Sequence, residues 1–185
     1  SKTYISPFKP KIFNKYHPKL FNIYTFNAGF KKNRSDLLVI EFNQPVPFAA
    51  AYTKSSTPSA PIIWAKKFSD NYCKLLIVNS GNANAHTGKK GLDSIQKYVK
   101  FAAKIFKCKL HHILVSSTGV IGEQLDYKKI INKINLLNKA KNKNLLSAAK
   151  TIMTTDTYPK TILKKIKIGK KEIRLFGIAK GSGMI

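Results

Sequence analysis

Acid is what this chain has least of. Eight Asp and Glu stand against 34 Lys and Arg, a formal net charge of +26 over 185 residues. Arginine is nearly missing as well, with Arg34 and Arg174 alone. Bidentate reading of phosphate or guanine favours the guanidinium fork. The lysines run from Lys2 to Lys180 without a long basic tract. The charge therefore reads as a solvated surface on a composition rich in Lys, Asn, Ile, Phe and Tyr, as an AT-biased genome writes. Nucleic acid is not the expected partner. A basic nucleic-acid-binding module stays as an alternative that would need a contiguous lysine face.

Cysteine is limited to Cys73 and Cys108, which make no disulfide framework. Each lies in an apolar run, so both are expected as buried, reduced thiols. No apolar run is long enough for a helical membrane span. Ser1 to Lys19 lacks the continuous apolar stretch of a secretory signal, so a cytoplasmic location is expected. The four histidines are His17, His86, His111 and His112. No zinc spacing, P-loop or dinucleotide fingerprint occurs. His111 and His112, adjacent at an expected strand start, should point to opposite faces and form no two-ligand metal site.

What is present alternates between two periods. Leu37–Phe42, Phe48–Thr53, Lys74–Val78 and His112–Val115 read as strands. Ser55–Pro61 reads as a loop, and Ile62–Phe68 can begin a helix. Ile95, Val99, Ala102 and Ile105 recur at helical spacing within Leu92–Phe106, with Asp93 or Ser94 as the N-cap. Leu125–Leu137 and Leu145–Met153 read as two more helices, and the lysines between Lys129 and Lys150 as a solvated face. Ile162–Ile168 and Glu172–Ile178 form a hairpin across Gly169-Lys170-Lys171. The expectation is one α/β domain over residues 1–185.

Four segments carry chemistry only in combination. Asn79-Ser80-Gly81-Asn82-Ala83-Asn84-Ala85 is either a packed turn or a source of amide donors. Ser116-Ser117-Thr118-Gly119 follows a strand, where glycine lets backbone approach a ligand; an ordinary strand-ending turn fits equally. Thr154-Thr155-Asp156 ends a helix, where such residues commonly bond local backbone. Lys180 stands between an apolar strand and Gly181-Ser182-Gly183-Met184-Ile185. The Gly-rich end suggests a divided polypeptide.

Taken together, Asn79–Ala85, Ser116–Glu123, Ile152–Thr157 and Gly177–Ile185 resemble the ornithine acetyltransferases of arginine biosynthesis, also called bifunctional glutamate N-acetyltransferases. Weaker likeness runs through Asp36-Leu37 and Ala50–Pro61, so the resemblance spans most of the chain from about Ala28. One departure is His86, where the family carries Cys; another is the family's nucleophilic Thr, which this chain lacks.

The resemblance implies packed β-sheets flanked by helices, the fold shared with self-processing aminopeptidases. It implies the α-chain of a precursor that cuts itself before a Thr. That Thr, the nucleophile, is not in this chain. The partner would be the β-chain, in an α2β2 heterotetramer, and the substrates N-acetylornithine and glutamate. Thr118 and Gly119 would form the oxyanion hole. Thr154 or Thr155 and Lys180 would bind substrate, with Thr154 preferred. No cofactor or metal is implied, and acetyl-CoA as a second donor is left open. An amidase or peptidase of the same self-processing fold is the alternative.

Overall fold

The computed structural model describes residues 5, 7–11, 19–137, 140 and 143–181. Its frame is a four-stranded sheet in the order β1 (Phe21–Phe26), β2 (Leu37–Pro47), β3 (Tyr72–Asn82), β4 (Ile113–Val120). The first three strands are antiparallel, and β4 lies parallel to β3. Parallel neighbours need a crossover. Helix α2 (Gly88–Phe106) and a 3-10 turn, Leu110–His112, supply it. Helix α1 (Ala60–Phe68) precedes β3, and α3 (Tyr127–Ile134) and α4 (Leu145–Ile152) follow β4. A separate hairpin, β5 (Lys160–Ile168) with β6 (Lys171–Ala179), completes the described chain.

Strand alternation sorts the apolar residues onto two faces. On one, Leu37, Val39, Leu75, Ile77, Ile113 and Val115 meet helices α1 to α3 through Trp64, Ile95, Tyr98, Val99, Ile130 and Ile134. On the other, Ile23, Leu38, Ile40 and Val78 meet α4 through Leu145, Ala148 and Ile152. Phe176 and Ile178 of the hairpin pack against that second cluster. The architecture is α/β, with sheets flanked by helices.

Several boundaries differ from the sequence reading. Phe48–Thr53 is not a strand. Instead β2 continues through Pro45 and Pro47, with its register shifted between Glu41 and Val46. Strand β1 stops pairing at Phe42, so the prolines lie where β2 has become an edge, which tolerates a missing N–H. Strand β1 itself went unread, and only Ile23 in FNIYTF is fully covered. Helix α2 starts at Gly88 behind Thr87, which places Asp93 and Ser94 inside the helix. Ser94 Oγ donates to the Lys90 carbonyl at 2.9 Å. Cys73 is buried, and Cys108 is only half-buried; both are free thiols. Burial pushes the Cys73 thiol up to about 12.

Candidate active site

Strands β3 and β4 run past the points where turns were expected, Ser80 pairing with Thr118 and Gly81 with Gly119. The two glycines make this possible. Gly119 has φ +139°, and a Cβ there would sit 2.2 Å from the Gly81 carbonyl carbon. Gly81 has φ +114°, and a Cβ there would sit 2.8 Å from the Phe30 oxygen. Any side chain at either position would separate three backbone segments.

The asparagines of this strand end are committed to structure. Asn79 donates to the Asn82 carbonyl at 2.8 Å and accepts from Ser117 Oγ at 2.6 Å. Asn82 donates to the Glu123 carbonyl at 3.0 Å and accepts from the Asn84 N–H at 2.8 Å. Asn84 donates to the Gly91 carbonyl at 3.1 Å and accepts from Thr87 Oγ1 at 2.8 Å. All three are buried. Their amides satisfy buried backbone, and of the two readings left open the structural one holds.

Thr118 is met from a distant part of the chain. The Lys180 ammonium, one residue beyond β6, donates to Thr118 Oγ1 at 2.8 Å. The next residue is anchored, because Gly181 N–H donates to Asp156 Oδ1 at 2.7 Å. The Asp156 carboxylate is fully covered, and it also accepts from Lys160 Nζ at 2.6 Å and from Thr154 N–H at 3.2 Å. One carboxylate thus ties the turn after α4 to the end of β6. Burial opposes the charged form of Asp156. The bonds from Lys160, Gly181 and Thr154, with the Lys160 charge, outweigh it and hold the carboxyl at about 2.

Thr154 Oγ1 is buried and has no hydrogen-bond partner among the described residues. A buried hydroxyl without a partner is uncommon and calls for a ligand or another donor. Thr155 is exposed. Of the sequence-derived candidates, the structure brings Thr118, Gly119, Thr154 and Lys180 to one region and turns Thr155 outward. Ser182 to Ile185 lie outside the described residues.

Asp36 was not among the sequence-derived site residues. It is completely buried. Its carboxylate accepts the N–H of Ala28 at 2.6 Å and of Lys31 at 2.7 Å. That fixes the loop carrying Phe30 over Gly81. Lys31 and Arg34 then reach the C-terminal end of α4. Arg34 donates to the carbonyls of Lys150 at 2.6 Å and Met153 at 3.0 Å. Lys31 lies 3.5 Å from the Met153 carbonyl. The available signal was the weaker family likeness through Asp36-Leu37, in a chain with only eight acids.

His111 and His112 depart from the sequence reading. They sit in the 3-10 turn, not in a strand, so both rings turn to Asp70. Their Nε2 atoms lie 3.4 and 3.2 Å from the same carboxylate oxygen. The three donors fall within 4.8 Å of one another, close enough to share a divalent ion. His112 also lines a cavity with Lys107 and Lys109, whose charge opposes a cation. This group is at the opposite end of β4 from Thr118. A cavity of about 630 Å³ beside α4 shares Arg34 and Met153 with the Thr118 region, but not Thr118 or Lys180.

The same frame occurs in solved proteins. A crystal structure of the arginine biosynthesis bifunctional protein ArgJ from Bacillus halodurans superposes with a TM-score of 0.82 at 35% identity, covering 90% of this chain and 89% of that one. Ornithine acetyltransferase from Mycobacterium tuberculosis, complexed with ornithine, superposes with a TM-score of 0.78 at 26% identity, covering 91% of each chain. The arginine biosynthesis bifunctional protein ArgJ of Mesorhizobium japonicum is 43% identical over 99% of this chain, which covers 45% of that protein. The Rhizobium meliloti relative is 40% identical over 98% of this chain, again 45% of its own length. The chain therefore spans under half the length of the curated relatives it matches. The ArgJ family model matches residues 22–185, and the chain belongs to the ArgJ family.

Proposed function

We propose that this chain is the α-chain of an ornithine acetyltransferase. It moves the acetyl group of N-acetylornithine to glutamate through an acetyl-threonine on a nucleophile carried by a partner β-chain. The observation that carries the reading is the Lys180–Thr118 contact, which joins two of the four family segments at a glycine-lined strand end. Family membership supports the chemistry. The lengths support a divided precursor, because this chain covers about nine-tenths of the solved chains but under half of the curated relatives.

In this mechanism the partner's Thr hydroxyl attacks the acetyl carbonyl, and its proton passes to that residue's own α-amine. Thr118 Oγ1 and the Gly119 N–H receive the charge that develops on the carbonyl oxygen. Lys180 supports Thr118 and faces a substrate carboxylate. Thr154 offers its unpartnered hydroxyl to substrate. The α-amine returns that proton to the departing ornithine nitrogen; the glutamate amine then attacks the acetyl ester, its proton passes to the α-amine and on to the Thr oxygen, and acetylglutamate leaves with the Thr hydroxyl regenerated. No metal or organic cofactor takes part.

An exposed apolar face on the hairpin supports a partner β-chain. Ile162, Ile168, Ile173 and Leu175 are all exposed, and pairing places them with Ile166 on one side of β5 and β6. Contiguous exposed apolar surface marks an interaction site. We assign the α2β2 assembly and a cytoplasmic location on the same reading. Among the described residues no helix is long and apolar enough to cross a membrane.

The test is to produce this chain together with the complementary segment its relatives carry and to follow [14C]acetyl from N-acetylornithine. Label in acetylglutamate, with parallel double-reciprocal lines, is the expected result. Release of free acetate as the main product would instead favour the amidase alternative.

A further inference from the structure

Asp70, His111 and His112 stand apart from the acetyl-transfer region, at the end of the sheet where β3 and β4 begin. Asp70 lies in the loop between α1 and β3, and the histidines in the turn that leads into β4. The two strands are parallel neighbours, with Leu75 beside Ile113, so their entry points meet side by side. The carboxylate is held in one orientation. Its Oδ1 accepts the Tyr72 N–H at 3.3 Å, and its Oδ2 faces both imidazoles. The His111 and His112 rings meet edge to face, with centroids 5.1 Å apart. Two Nε2 atoms thus converge on one oxygen, at 3.4 and 3.2 Å. Charge-assisted hydrogen bonds between such groups close to about 2.7–2.9 Å. Zinc bonds of about 2.0–2.1 Å at tetrahedral angles set neighbouring ligand atoms about 3.3 Å apart. Two edges of the ligand triangle therefore already have the spacing of a tetrahedral site. The third, between the nitrogens, is no longer than 4.8 Å. The His111 side chain is 44% exposed, so its ring has room to turn inward.

The donor set selects the ion. Magnesium and calcium take oxygen ligands, and one carboxylate is too few for them. Imidazole suits the late first-row ions. The neighbouring lysines lower the affinity without excluding such an ion. Lys74 is paired with Glu41. Lys104, Lys107 and Lys109 are exposed, where salt screens their charge. We propose that Asp70, His111 and His112 form a zinc site that pins the loop entering β3 to the turn entering β4, with water in the fourth position. The ion sits at the far end of β4 from Thr118 and stands outside the acetyl-transfer chemistry.

The experiment uses the untagged two-chain protein, stripped of metal by a chelator and titrated calorimetrically with zinc chloride. Binding in the micromolar range, with about one ion per α-chain, is the expected result. Magnesium chloride should give no heat of binding. Asp70→Ala and His111→Gln should each weaken zinc about tenfold or more, since loss even of a supporting partner brings that much. His86→Gln, which lies outside the cluster, should bind as wild type does. Cobalt chloride should give the intense visible absorption of four-coordinate cobalt in wild type and lose it in His111→Gln. Zinc should raise the thermal midpoint of wild type and leave that of His111→Gln unmoved. The exposed His111 makes that variant the deciding one should Asp70→Ala fail to fold. Zinc bound only at millimolar concentration overturns the proposal. So does equal zinc affinity in wild type and His111→Gln, or a six-coordinate cobalt spectrum in wild type.

Discussion

The Lys180 ammonium donates to Thr118 Oγ1 at 2.8 Å across 62 residues of sequence, and this bond joins the hairpin to the strand end that holds the candidate oxyanion site. If Thr118 stabilises the developing oxyanion, Thr118→Ala should lower kcat by roughly two to three orders of magnitude. KM should stay close to wild type, and thermal unfolding should move little. Thr118→Ser, which keeps the hydroxyl, should recover much of the rate. Steady-state acetyl transfer in the two-chain protein checks this.

Gly119 should tolerate no side chain. A Cβ would lie 2.2 Å from the Gly81 carbonyl carbon, on a residue with φ +139°. Gly119→Ala should therefore cost at least about 3 kcal/mol, as overpacking and backbone strain add. Gly169→Ala at the hairpin turn has the control geometry, with φ +59° and no atom within 4 Å of the added Cβ. Its cost should be about 1 kcal/mol. Urea titration of both variants gives the comparison.

Asp156 should make the fold sensitive to acid. Its carboxyl is held at about 2, below the ordinary carboxylate value of about 4. The stabilisation is complete above the ordinary value and is lost as pH falls through about 2. Asp156→Asn should flatten the dependence between these limits. It should also lower stability at neutral pH, since Lys160 loses its partner. Denaturant midpoints measured from about pH 2 to pH 6 would show it; identical slopes in the two proteins would refute it.

Asp36→Ala should free two backbone amides at once, those of Ala28 and Lys31. Leaving buried donors unpaired costs about 1–3 kcal/mol each. Amide exchange at Ala28 and Lys31 should accelerate more than exchange in the β2–β3 core. Asp36→Asn keeps one acceptor oxygen and should be intermediate.

The elements legible in the sequence were those whose burial is nearly complete on one face. Ile95, Val99 and Ala102 announced α2 because all three point into one core. The hairpin was legible from its alternation and its Gly169 turn. β1 was not, although FNIYTF is rich in strand-favouring residues; its pairing with β2 is what places it in the sheet. The strand reading of Phe48–Thr53 failed for the converse reason: apolar content without a neighbour to pair with makes no strand. His111 and His112 were misplaced because a short 3-10 turn, which no periodicity marks, set their directions.

By itself the sequence determined the α/β class through its alternating periodicities, and its four segments singled out Thr118, Gly119, Thr154 and Lys180 through their resemblance to a known family. Only the tertiary structure decided that Lys180 reaches Thr118, that Asp156 ties the turn after α4 to the end of β6, and that Asp36 holds the loop from which Lys31 reaches the Met153 carbonyl. Those relations depend on which backbones can approach one another. Here the closest approach is set by two glycines, Gly81 and Gly119, that lie far apart in sequence and touch in space.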